Sequence, residues 1–457
     1  MSENIREIVF DCLLETDVHE RKSHLVMREV LDKYDYLDNT DKNFIKRVFE
    51  GTIQKRITLD YALNRMMEKP LEKNKIEIIE ILRMGAYQVL FMDRVPDSAA
   101  CDEAVKLTKK RSRSELSGFV NGVLRAVSRE KAKILSFDDI DDDISGLSVK
   151  YSMPEWIVRM LNKEQKQGEA LINALAEQRP TVVRITDAKK TEELLKNWEE
   201  TGIAHKKSEN IPNVFEVSNF HGMGELPGFA EGLLYVQDES SMLSIRKAVE
   251  VFLERFGDEN KESNPATESA LEKKIGEANL TGLKILDTCA APGGKSVYIA
   301  ELLNGMGEII SLDVSEDKVS LLRENMERLG HKNVSCSVWD ATVFNPEFEN
   351  KFDIVICDVP CSGLGVISRK SDLKYRVTNE SMISLCELQK QIADNAKKYV
   401  KKNGILLYST CTIHKAENEK TAKYICSGGG YELICEKQLL PNLDNTDGFY
   451  FAVLIRK

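Results

Sequence analysis

The feature that most constrains this chain is a regular alternation of short apolar runs and amphipathic stretches after residue 282. LKILDTC, EIISLDV, NVSCSVWD, FDIVICDVP, ILLYSTC and GFYFAVLIRK have the length and β-branched content of strands. Between them, GKSVYIAELLN, SEDKVSLLRENMERLG, a stretch from about Glu380 to Lys402 and HKAENEKTAKYI repeat their apolar residues at helical spacing. Strands that alternate with helices of this length predict a parallel, doubly wound sheet with helices on both faces.

Upstream the pattern differs. From Ile5 to about Arg129, IREIVFDCLLE, RITLDYALNRMME, KIEIIEILRMGAYQVLFM and SGFVNGVLRAVSRE place apolar residues at i, i+3, i+4 and i+7. No strand-like alternation interrupts them, so residues 1–135 read as an all-α domain. The aspartate-rich stretch Asp138 to Asp143 reads as a linker. From Leu147 to Gln237 the reading is mixed: TVVRIT and NVFEVSN as strands, TEELLKNWEETG as a helix between them, together a small α/β module. Residues 238–457 form the last domain. Within it Phe256 to Gly282 is acidic and poor in large apolar residues, which predicts a disordered or loosely helical insert that adds little to the core.

A net charge of −10 excludes a protein that coats nucleic acid indiscriminately. It leaves room for local basic surface, offered by the run Lys109-Lys110-Arg111-Ser112-Arg113 and by Arg369, Lys370, Lys374 and Arg376. No window reaches the roughly 18 apolar residues of a membrane span, and the first residues lack the apolar core of a secretion signal. A cytoplasmic protein is the expectation. The ten cysteines have no spacing suited to zinc, so no metal is expected, and most read as small buried hydrophobes in a reducing compartment.

In a doubly wound sheet, ligands bind beyond the carboxyl ends of the strands. Read there in order, the chain offers Asp287-Thr288-Cys289-Ala290-Ala291-Pro292-Gly293-Gly294-Lys295, then Asp313, Asp340, Asp358-Val359-Pro360-Cys361 and Ser409-Thr410-Cys411. The first loop is small and glycine-rich and opens a helix, which lets a ligand approach the backbone and favours a carboxylate. Its spacing is not that of a dinucleotide-binding loop. Asp313 ends the next strand, where a carboxylate grips ribose hydroxyls in nucleoside-binding sheets. Cys361 and Cys411 end two strands expected to be neighbours, so both thiols open onto one cleft, a setting that suits a nucleophile.

DTCAAPGGK, DVPCSGLG and YSTCTIHKAENE resemble the RNA cytosine-C5 methyltransferases of the Sun/NOP family, with VQDESS at Val236 to Ser241 and the closing DGFYFA. The all-α N-terminus, ending in SGFVNGVLRAV, resembles the NusB-type RNA-binding fold, a pairing similar to the bacterial 16S ribosomal RNA methyltransferases of the RsmB/Sun type. The fold implied is a multidomain α and α/β one: a NusB-like domain, a small ferredoxin- or RRM-like module and a Rossmann-like class I methyltransferase domain. The resemblance also implies S-adenosylmethionine as cofactor and 16S ribosomal RNA, single-stranded or bulged and not fully assembled, as partner. Carried over by motif, Cys289, Ala290, Ala291, Pro292, Gly293, Gly294 and Lys295 would surround the methionine part of the cofactor. Asp313 would hold the ribose, Asp340 the adenine side, and Asp358 would lie between cofactor and base. Cys411 would attack the base and Cys361 assist release.

Two rivals are weighed. Methyltransferases of exocyclic amines share an Asn/Asp-Pro-Pro-aromatic motif, but here the place reads Asp358-Val359-Pro360-Cys361, with a thiol where the ring should be. A non-catalytic NusB-like RNA-binding or antitermination factor would have no use for both cysteines and the motif carboxylates.

Overall fold

Polar strand ends and apolar strand centres sort this chain into buried sheet and exposed loops. The architecture described here is that of a computed structural model. It describes residues 4–111, 114–137, 140, 143–220, 222–256, 269–278, 280 and 282–457. Two compact units result: residues 1–178 with 367–376, and residues 179–366 with 377–457. Among the described residues no helix is long and apolar enough to cross a membrane.

The first unit is helical. Seven helices (Ile5–Asp17, Ser23–Lys33, Asn39–Gln54, Arg56–Arg65, Ile76–Phe91, Asp97–Arg111 and Ser117–Arg129) turn their apolar stripes onto a common core that includes Phe10, Phe49, Leu59, Ile81 and Leu124. Helices Asp143–Tyr151, Glu155–Glu164 and Gly168–Ala176 belong to this unit as well, not to the α/β module that the sequence opens at Leu147. Partly buried polar contacts hold the first of them there: Thr58 Oγ1 donates to Val149 O at 2.5 Å, and Ile57 N to Ser152 Oγ at 2.9 Å. The aspartates at 138, 139, 141 and 142 lie outside the described residues.

Residues Ile367–Arg376 also fold into the helical unit. Asp372 accepts Ser23 Oγ at 2.6 Å and Ser23 N at 3.1 Å, capping the start of helix Ser23–Lys33. Lys374 is buried and donates to Gln54 O at 2.9 Å, and Arg376 pairs with Asp372 at 2.7 Å. Both cations proposed from sequence as free for phosphate are therefore occupied inside the fold.

The second unit carries two sheets. Strands β1 (Thr181–Ile185), β2 (Ala204–Lys207), β3 (Val214–Ser218) and β4 (Leu234–Val236) pair antiparallel in the order β2-β3-β1-β4, with helix Thr191–Glu200 contributing Leu194 and Trp198 to their core. β2 has the sequence AHKK and is mostly exposed, so it carries no apolar signal.

The larger sheet has β5 (Lys284–Asp287), β6 (Glu308–Asp313), β7 (Val334–Val338), β8 (Phe352–Asp358), β9 (Val400–Thr410), β10 (Tyr431–Leu439) and β11 (Phe449–Arg456), ordered β10-β11-β9-β8-β5-β6-β7. Five strands are parallel, as expected. The sheet is nonetheless mixed, because β11 runs antiparallel to β9 and β10 antiparallel to β11. β10 escapes sequence reading because an edge strand with Glu432, Glu436 and Lys437 shows little apolar alternation. Its pairing with β11 forms a hairpin, which a reading limited to helix-connected strands excludes.

The acidic insert is only partly as expected. Residues 257–268 lie outside the described residues. Ser269–Glu277, however, is a helix, and Leu271, Ile275 and Leu280 are buried in the core against Ile245, Val249 and Leu303. Arg246 and Glu272 add an ion pair at 2.5 Å. Three apolar residues at helical spacing suffice to anchor a short helix despite the polar composition around them.

Candidate active site

Every sheet strand used by the site ends at the same edge, and β8 and β9 are hydrogen-bonded neighbours in a register that faces Asp358 with Ser409. The residues that follow each strand thus converge. Cys361 Sγ and Cys411 Sγ lie 3.3 Å apart, although 50 positions separate them in the chain. Contact with Cys411, burial and the nearby Glu417 carboxylate push the Cys361 thiol well above the usual range. Cys289 is also pushed up, by burial first. Cys357, wholly buried within β8, reaches about 12 for the same reason.

Beside the thiols lies a cleft lined by Cys289, Ala290, Ala291, Pro292, Gly294, Lys295 and Asp358. Its far wall comes from Tyr235, Gln237 and Ser241. The loop between β5 and helix Gly294–Leu302 is built for close approach. Gly293 has φ 111°, and a Cβ there would stand 2.7 Å from Leu322 Cδ1, so only glycine fits. Lys295 Nζ meets Asp358 Oδ2 at 2.7 Å, and Ser409 Oγ donates to Asp358 Oδ1 at 2.7 Å, fixing that carboxylate from two sides.

Asp287 also lines the cleft. Burial pushes its carboxyl up to about 7, against the hydrogen bond that Ser296 Oγ donates to Oδ2 at 2.7 Å. Its Oδ1 is buried without a partner in the protein. A buried acceptor left bare costs about 1–3 kcal/mol, so a donor from a bound molecule fits there. An S-adenosylmethionine with its ammonium group, carboxylate and sulfonium suits this mixture of glycine-rich backbone, helix N-terminus and bare acceptor.

The sequence-derived site residues divide. Cys289 to Pro292, Gly294, Lys295 and Asp358 line one cleft, while Cys361 and Cys411 meet each other past the ends of β8 and β9 and do not line it. Asp313 reaches the same loop by accepting Ala291 N at 3.1 Å, and it also holds Val314 N and Lys318 Nζ. Asp340 is exposed and accepts Thr342 N and Oγ1, and it does not line the cleft. Asp287, Tyr235, Gln237, Ser241 and Ser409 carry no role in the sequence reading, although Asp287 and Ser409 stand at strand ends and Gln237 and Ser241 lie in VQDESS.

A relative from Bacillus subtilis (strain 168), a probable ribosomal RNA small subunit methyltransferase B, is 32% identical over 99% of this chain and 99% of its own length. The chain belongs to the RsmB/F family of 16S rRNA methyltransferases. The family model of that description matches residues 277–455, and the NusB family model matches residues 3–129. A relative of the same printed name from Synechocystis is 30% identical over 91% of this chain and 87% of its own. The solved structure of PH0851 shares the fold, with a TM-score of 0.77 at 21% identity over 99% of each chain. This RsmB/F member is an S-adenosylmethionine-dependent methyltransferase, with a NusB-like region and a class I methyltransferase sheet. The catalytic reading stands over the non-catalytic one.

Proposed function

We propose that this RsmB/F member transfers a methyl group to carbon 5 of a cytosine in 16S ribosomal RNA through a covalent bond between Cys411 and carbon 6. One observation carries the reading: two thiols 3.3 Å apart stand at neighbouring strand ends next to the cleft that Asp358 shares. Bound there, S-adenosylmethionine supplies the electrophilic methyl group.

Cys289, Ala290, Ala291, Pro292, Gly293, Gly294 and Lys295 would hold the methionine part of the cofactor, Asp313 its ribose and Asp340, from outside the cleft lining, its adenine side. Carbon 5 of cytosine is a poor nucleophile. The Cys411 thiolate would add to carbon 6 and push the ring electrons to carbon 5, which would take the methyl group of the bound cofactor as the sulfonium–methyl bond breaks and S-adenosylhomocysteine leaves. Asp358, held by Lys295 and Ser409, hydrogen-bonds the base edge and stabilises the adduct. A base would then take the carbon-5 proton, the freed electron pair would restore the ring double bond, and the bond from carbon 6 would break to return the Cys411 thiolate, with Cys361 assisting that step. The target base must leave its stack, so the substrate is single-stranded or bulged RNA before full assembly, in the cytoplasm.

The test is bisulfite sequencing of 16S ribosomal RNA from a strain lacking the chain, with methylation restored by the purified protein in vitro. One cytosine should lose its protection and regain it. Unchanged protection throughout the RNA would overturn the proposal.

A further inference from the structure

The loop after Cys411 departs from the helix that its sequence predicts, and the departure has a physical cause. HKAENEKTAKYI has helical spacing, yet the helix begins only at Glu419. Glu417 and Asn418 are wholly buried and spend their side chains on other loops instead. Asn418 accepts Thr410 Oγ1 at 2.6 Å and donates to Thr412 O at 3.0 Å, bracing the residues on both sides of Cys411.

Glu417 reaches further. Its Oε2 accepts Ser362 N and Gln389 Nε2, each at 2.9 Å. Its Oε1 accepts Ser362 Oγ at 2.6 Å and faces His414 Nδ1 at 3.3 Å. Gln389 also donates to Pro360 O at 3.0 Å, and Ser362 Oγ meets Thr412 Oγ1 at 2.7 Å. Tyr408 OH donates to the Glu417 carbonyl at 2.6 Å, tying the same residue to β9. Pro360 and Ser362 flank Cys361, and Thr412 follows Cys411. The Glu417 carboxylate thus grips Ser362 beside Cys361 directly, and reaches Thr412 beside Cys411 through Ser362 Oγ, while it does not line the cleft.

Burial alone would push this carboxyl up, but the hydrogen bonds from His414, Ser362 and Gln389 outweigh it and hold it below the ordinary glutamate value. An ionised, fully paired buried carboxylate holds its donors in one geometry, and no neutral residue of its size accepts all of them.

We propose that Glu417 is a positioning residue that sets the separation of Cys361 and Cys411, and through it the addition and release steps. The inference rests on the reading of that pair as the reacting thiols. A misplacement of about 1 Å in such a constellation costs roughly 100-fold in rate.

The test uses the full chain with Glu417→Gln, which keeps size but places an amide donor against Ser362 N or Gln389. Two readouts are compared with the unmodified protein: single-turnover methylation of a 16S rRNA fragment, and the rate at which diamide joins the two thiols. In the second, each thiol loses a proton and an electron to diamide, which is reduced to the hydrazine, and the protein loses two hydrogens in mass. Methylation should slow about 100-fold, and disulfide formation should slow roughly 10-fold or more, with S-adenosylmethionine affinity and the melting transition retained. The disulfide rate needs no methylation, so it reads the geometry even if the proposed RNA activity fails. Should Glu417→Gln not fold, Ser362→Ala removes one donor and should show the same pattern more weakly. Rates of methylation and thiol joining within about threefold of the unmodified protein would overturn the proposal. So would parallel losses of cofactor affinity and turnover, the mark of a general structural role.

Discussion

Cys361 Sγ and Cys411 Sγ lie 3.3 Å apart across the neighbouring ends of β8 and β9. The proposed mechanism gives the two thiols distinguishable tasks on one base. Cys411→Ala should abolish turnover and leave no covalent RNA adduct. Cys361→Ala should accumulate an adduct that survives SDS, because release is impaired. An SDS-resistant complex formed by Cys411→Ala would reverse the assignment.

The helix Ser269–Glu277 makes the acidic insert a structural element, contrary to its composition. Leu271 and Ile275 are both buried. Leu271→Ala and Ile275→Ala should each destabilise the protein by about 2–5 kcal/mol, read by urea unfolding. If both variants unfold at the unmodified midpoint, the helix does not pack in solution.

Lys374 supplies a pH test of the helical unit. Burial, with Lys55 and Arg56 adding positive potential, pushes its amine down to about 7. The unfolded chain keeps that proton up to roughly pH 10.4. Between about 7 and that value the unfolded state binds more protons, so this group adds stability as pH rises and withdraws it as pH falls to about 7. The unmodified protein should therefore gain on Lys374→Met between pH 7 and pH 9.5, by on the order of a few kcal/mol. A stability difference that stays flat across that range in paired melts would show an ordinary, solvated amine.

The basic runs no longer count equally as phosphate contacts. Lys110 pairs with Glu7 at 2.7 Å, and Arg111 pairs with Glu7 at 2.9 Å and also with Asp11. Ser112 and Arg113 lie outside the described residues. Lys370 is exposed, whereas Lys374 is buried. Lys370→Ala should lower the slope of log RNA affinity against log salt by about 0.7 to 0.9. The double variant Lys110→Ala with Arg111→Ala should lower it by less than one such step, and Lys374→Met not at all. A full step lost in Lys374→Met would mean that this amine reaches RNA after all.

The amino-acid sequence by itself determined the alternation behind the parallel core of the large sheet, the all-α beginning and the strand ends where Cys289 to Lys295, Asp358, Cys361 and Cys411 lie. Those signals are local: burial repeats with the period of the element, and strand ends are marked where apolar runs stop. Only the tertiary structure decided that β10 and β11 fold back antiparallel, that helices 143–176 join the helical unit, and that Lys374 and Arg376 serve the fold. It alone decided that Glu417, in a stretch with helical spacing, leaves the helix to hold Ser362 and Gln389. The reason is range. A carboxylate finds donors 28 and 55 positions away only after the chain has folded, and no periodicity along the sequence records a hydrogen bond across it.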